Sequence, residues 1–111
     1  MYNTVASTTV SVYEEIVRVK INLFALFPTG YKFQAAAYIS SGVTSGDVEL
    51  YDVTSAAAVV SVNFTNTSVA IVESASQSPA NALREYSIRI RRTGGAPPDK
   101  IFISSATLRA E

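Results

Sequence analysis

Apolar and polar residues alternate singly along most of this chain, and that pattern limits what it can fold into. In Ile16 to Phe24, Val17, Val19, Ile21 and Leu23 fall on one face, while Arg18, Lys20 and Asn22 fall on the other. In Tyr31 to Ser40 the inward set is Tyr31, Phe33, Ala35, Ala37 and Ile39, with Lys32, Gln34 and Tyr38 outward. A period of two is the mark of a pleated strand with one buried face. Nowhere does an i, i+3, i+4, i+7 apolar stripe persist long enough for an amphipathic helix.

The remaining runs read the same way. Thr4 to Tyr13 is a Thr/Ser/Val-rich first strand, Asp47 to Val53 a fourth, Ala57 to Phe64 a fifth and Val69 to Glu73 a sixth. Ala58, Val60, Val62 and Phe64 are expected inward in the fifth strand. In the seventh, Tyr86, Ile88 and Ile90 point inward, with Ser87, Arg89 and Arg91 outward; Lys100 to Arg109 is the last. Turn chemistry separates the runs at Pro28-Thr29-Gly30, Ser41-Gly42 through Ser45-Gly46, Thr54-Ser55, Asn66-Thr67 and Gly94 to Asp99. Ser74 to Ala82 is irregular, with room for one short helical turn. About eight strands at this spacing predict an all-β antiparallel sandwich, a jelly roll, with an Ig-like sandwich as runner-up. At 111 residues the chain is expected to form a single domain over residues 1–111.

Composition narrows function by removal. There is no histidine and no cysteine, so the side chain best suited to proton transfer near neutral pH and the commonest metal ligands are missing. Serines are plentiful but have no histidine beside them, and the lysines are scattered, so a nucleophile with its base is not expected. Nine basic residues balance nine acidic ones, which argues against electrostatic capture of nucleic acid or an anionic membrane. Charged residues are 16%, against about 25% in typical soluble domains. A neutral, charge-poor surface favours association; the alternative is a stable monomer with a Ser/Thr/Ala surface. No signal peptide is visible after Met1, and the apolar run Ile21 to Phe27 is too short to span a bilayer as a helix.

Three constellations merit structural placement. Glu14 and Glu15 should point to opposite faces, whereas Asp47 and Glu49 should share one with Asp52 just beyond. These carboxylates could serve a glycosidase or bind calcium, or simply be a solvated strand end. Arg89 and Arg91 lie on one outward face, with Arg84 and Arg92 nearby. They suit either docking against an acidic protein surface or protection of an edge strand. Tyr38 and Tyr51 are expected outward, as a sugar platform or as a subunit contact.

In order along the chain, several segments resemble the small jelly-roll domains of tailed-phage virion proteins. They are the Thr/Ser strand Ser7-Thr8-Thr9 leading into Val17-Arg18-Val19, then Tyr31-Lys32-Phe33-Gln34-Ala35, then Leu50 to Thr54 before an Ala/Val strand. Glu85 to Ile90, Gly94-Gly95 and Ser105 to Leu108 close the series; Pro97-Pro98 departs from it. The resemblance implies a head-decoration (cement) protein, or else a carbohydrate- or receptor-binding module of a tail or fibre. A chain of this length without a fibre shaft fits the first. It also implies a homotrimer seated on the major capsid protein, assembly in host cytoplasm, no enzymatic activity and no cofactor. Nucleic acid, membrane and small-molecule ligands are not expected. Residues 1–9, with Tyr2, Asn3 and Thr4 as contacts, are read as either an arm that augments a neighbour's sheet or an ordinary first strand.

Overall fold

The structure is a computed structural model that describes residues 6–8, 13–43, 45–94 and 100–111. Its strands are β1 (Ala6–Thr8), β2 (Glu14–Ile21), β3 (Tyr31–Ile39), β4 (Ser45–Asp52), β5 (Ala57–Phe64), β6 (Ala70–Glu73), β7 (Arg84–Thr93) and β8 (Ile101–Ala110), with one short helix, α1 (Leu23–Leu26). First pairs with last throughout: β1 with β8, β2 with β7, β3 with β6 and β4 with β5, all antiparallel. The chain is therefore one long antiparallel ribbon whose tip is the β4–β5 turn. Rolling that ribbon over itself adds the pairings β3–β8 and β4–β7. The result is two four-stranded sheets, β1-β8-β3-β6 and β2-β7-β4-β5. That winding is the jelly roll, and it rules out the Ig-like order.

The alternation places the core. All five inward residues of β3, Tyr31 to Ile39, are buried, as are Tyr86, Ile88 and Ile90 of β7. They share one layer with Val48, Leu50, Val62, Phe64, Ile101, Ile103 and Ala106. Burying each large side chain contributes about 1.5–3 kcal/mol, and the two sheets supply most of that surface to each other. At one point the sheets touch almost backbone to side chain: a Cβ built on Gly46 of β4 would lie 2.5 Å from Ile101 Cδ1 and 2.9 Å from its Cγ1. Gly46, expected in a loop, is thus the first buried residue of β4, and its lack of a side chain lets Ile101 seat.

Departures from strict alternation have local causes. The run from Ile16 stops at Asn22, whose Oδ1 accepts a hydrogen bond from the Ala25 N–H at 3.3 Å and so caps α1. Leu23 is buried as expected, but from a helical turn. The helical turn allowed within Ser74 to Ala82 does not form. The Ser74 N–H instead donates to Phe33 O, and Gln77 exchanges two backbone hydrogen bonds with Tyr31. That segment follows the β3 edge. Ala58 is exposed rather than inward, because the register slips from Leu50↔Val60 to Tyr51↔Ala58, leaving Val59 as an extra residue. A second bulge falls at Ser104, between the pairs Ala36↔Ser105 and Ala37↔Ile103, and the Ser104 hydroxyl donates to Ala36 O. The first strand is Ala6–Thr8, paired with β8 of the same chain. Tyr2, Asn3, Thr4 and Pro97-Pro98 lie outside the described residues.

Two measurements check this packing. Gly46→Ala is expected to cost about 1–3 kcal/mol by overpacking, read as a lower denaturation midpoint. Combining it with Ile101→Ala should cost less than the two single changes together, by more than about 0.5 kcal/mol; strict additivity would mean the contact is not tight. Burial, aided by Tyr86 and the Asp52 carboxylate, pushes the Tyr31 hydroxyl up from 10.0 to about 12. Above pH 10 the unfolded chain therefore releases a proton that the folded chain keeps. Stability should fall with rising pH between those values, by up to about 1.4 kcal/mol per pH unit. Tyr31→Phe should flatten that slope.

Candidate functional site

One face of each sheet is committed to the core, so function must come from the two outer faces, the edges or the ends. The outer face of β2-β7-β4-β5 carries the charges. Register sets Arg91 opposite Asp47 and Arg89 opposite Glu49 on neighbouring strands. Arg91 Nε reaches Asp47 Oδ2 at 2.9 Å, and Arg89 Nε reaches Glu49 Oε1 at 2.9 Å. Arg18 on β2 bridges Glu15 at 2.8 Å and Glu85 at 3.0 Å. Tyrosines add to the ladder: the Arg89 guanidinium carbon lies 3.8 Å from the Tyr51 ring centre and 4.9 Å from that of Tyr13, and Arg91 lies 4.4 Å from Tyr13. Cations held over aromatic faces in this way gain further electrostatic attraction. Burial, with Asp47 and Glu49 nearby, raises the Tyr13 hydroxyl above its ordinary value.

Arg89 and Arg91 were candidates for docking on an acidic partner or for guarding a sheet edge. The acidic partner is their own neighbouring strand, and β7 is a central strand of its sheet rather than an edge. Asp47 and Glu49 share the outer face as expected, but the three carboxylates do not converge. Asp47 and Glu49 each face an arginine, and Asp52 turns inward onto Arg84 at 2.8 Å and the Ser55 N–H at 3.1 Å. Burial pushes the Asp52 carboxyl up, but Arg84 and Ser55 together outweigh it and hold it below the usual value. Among the described residues no group of three or more acidic side chains could hold a metal ion.

The outer face of β1-β8-β3-β6 has a different character. Tyr38 on β3 stacks on its register partner Phe102 on β8, ring centres 4.7 Å apart and 11° from parallel. Along the same face Ala36 sits between Ser105 and Ile71, and Gln34 between Thr107 and Glu73. Ile71 is 68% exposed and Val69, just before β6, is 57% exposed. Charge returns only at the margins. Glu73 accepts from Arg109 at 2.9 Å with Lys32 at 3.7 Å at one end, and Lys100 approaches Phe102 at the other. A further apolar feature, a groove of about 270 Å³, opens between β2 and β8, lined by Val17, Val19, Ile21, Leu26, Phe27 and Leu108.

The expected site residues thus separate. Arg89, Arg91 and Tyr51 come together on one face, and Tyr38 stands on the other. Sequence reading missed Phe102, Ile71 and Tyr13. The first two were within reach of the same parity argument, while Tyr13 was expected inside the first strand and instead precedes β2.

The fold and its faces define a jelly-roll β-sandwich with one ionic face of paired charges and one face whose centre is aromatic and aliphatic, with charge at its margins. No protein-family model matches the chain, and no curated protein and no solved structure is significantly similar to it.

The ladder makes a measurable distinction. Glu49 is almost fully buried, so Arg89→Ala strands a desolvated carboxylate and should cost about 2–3 kcal/mol. Arg18, with its side chain 47% exposed, makes surface pairs, and Arg18→Ala should barely move the urea midpoint. Equal shifts would mean the ladder is not held by burial.

Proposed function

We propose that this chain is a structural protein of a tailed-phage particle, a head-decoration protein that binds between capsid subunits and raises the barrier to their separation. The observation that carries the reading is the outer face of β1-β8-β3-β6. Tyr38, Phe102, Ile71 and Val69 stand there with charge at the rim, Lys100 at one end and Glu73 with Lys32 and Arg109 at the other, and aromatic side chains within a charged rim are the usual centre of a protein interface. The ionic face supports it from the other side: its arginines and carboxylates already pair with one another, which leaves docking on another protein to the apolar face. The jelly roll is a fold that capsid and lectin domains share. Fold alone does not assign function, and here the reading rests on the face together with the order of motifs that resembles phage virion domains. On this reading the protein acts without catalysis or cofactor, its partners are the major capsid protein and itself, as a homotrimer on the lattice, and nucleic acid and membrane are not among them.

A second reading, a saccharide- or receptor-binding module of a tail or fibre, has one observation in its favour, the hollow beside Tyr51 described below.

Purified protein mixed with undecorated capsids of its phage should bind saturably at lattice positions. Tyr38→Ala should weaken that binding by about 30-fold or more, the loss of one interface anchor, and Ile71→Asp should abolish it, while Arg18→Ala leaves it unchanged. Absence of saturable binding would overturn the reading.

A further inference from the structure

At the centre of the ionic face one side chain is short. Along β7 the outward residues are Glu85, Ser87, Arg89 and Arg91, and Ser87 sits in register between Arg18 on β2 and Tyr51 on β4. One row on, Arg89 lies between Glu15 and Glu49. Long side chains standing around a serine leave a hollow of about 270 Å³, lined by Tyr13, Glu15, Arg18, Tyr51, Ser87 and Arg89, with Val53 at its rim. That is just below the ~300 Å³ at which small-ligand pockets begin.

Its floor is unusual. Ser87 is 1% exposed, and its hydroxyl has no hydrogen-bond partner among the described residues. A buried hydroxyl without a partner is costly and is rarely left so. The group above it is weakly held: among the described residues, Arg18 is held by exposed ion pairs to Glu15 and Glu85, which are weak.

The walls select the ligand. The guanidiniums of Arg18 and Arg89 that line the hollow are already paired with the carboxylates of Glu15, Glu85 and Glu49, so they leave no unpaired cation to hold an anion. The faces of Tyr13 and Tyr51 that would hold a cation already carry Arg89. What remains is a neutral molecule with several adjacent hydroxyls. Carboxylates accept from it, guanidiniums donate to it, and the serine does both, while exposed tyrosine edge packs its C–H surface. We propose that the hollow over Ser87 binds a single neutral saccharide residue, with Glu15 and Arg18 gripping its hydroxyls, Tyr51 packing its ring and Ser87 acting as the buried partner. The sequence offered Tyr51 as a candidate sugar-packing residue; the buried Ser87 and the hollow over it are what the structure adds. The site lies on the sheet opposite the proposed capsid face and stands or falls independently of it.

The test is an NMR titration of the free protein with methyl β-D-galactopyranoside, methyl β-D-glucopyranoside and, as an anionic control, inorganic phosphate. At least one glycoside should give saturable shifts at Ser87, Tyr51 and Arg18, with a dissociation constant on the order of 1–10 mM. Phosphate should give none there. Ser87→Ala should weaken sugar binding about 3- to 10-fold while leaving thermal stability equal or higher, since it removes a hydroxyl that has no partner in the free protein. Tyr51→Phe should bind like the parent, and Tyr51→Ala should not. The proposal is overturned if neither glycoside saturates, if phosphate binds the hollow, or if Ser87→Ala leaves binding intact. A loss of stability in Ser87→Ala would also overturn it, because the hydroxyl would then serve the fold. Capsid binding by Ser87→Ala should be unchanged, which separates failure here from failure of the decoration reading.

Discussion

A pleated strand has two faces, and in this protein one face of every long strand is taken by a single shared core. That core depends on the ribbon closing on itself. Because β1 meets β8, β2 meets β7, β3 meets β6 and β4 meets β5, the two sheets present their apolar faces to each other with one layer of side chains between them. The close approach at Gly46 and Ile101 shows how little slack that layer has. Whatever the protein does, it does with what is left over: two outer faces, a groove along the open side and the sandwich ends.

The leftover faces are not equivalent, and the difference is physical rather than decorative. On β2-β7-β4-β5 register places each β7 arginine opposite a β4 carboxylate, and tyrosines cover what the carboxylates do not. Such a face offers a protein partner little unpaired charge. On β1-β8-β3-β6 the stacked Tyr38–Phe102 pair and the exposed Ile71 gain most by leaving water. One paired ionic face and one apolar-centred face are the features on which the proposed capsid-binding role rests.

Much of the architecture was legible in the residues. The inward sets of β3 and β7 were read correctly because nothing interrupts their alternation. Tyr38 and Tyr51 were placed outward on the same basis. Reading failed where a bulge shifts parity, as at Val59 and Ala58, and where a side chain offers the backbone a competing partner, as Asn22 does in capping α1. Neither leaves a pattern in a single strand, because a bulge is defined by the strand opposite. The ionic site was half legible: Arg89, Arg91, Asp47 and Glu49 were all singled out, but as two separate groups.

What the sequence determined by itself was the period: a chain of short alternating strands, poor in charge, without the residues that proton transfer and metal binding most often use. The tertiary structure alone decided which strands became neighbours. That choice turned scattered arginines and acids into matched pairs, buried Gly46 against Ile101 and set Ser87 at the bottom of a hollow. The physical reason is that side-chain direction is a local property of the pleat, whereas cross-strand proximity depends on register between segments far apart in the chain, and register is settled only when both sheets close on one core.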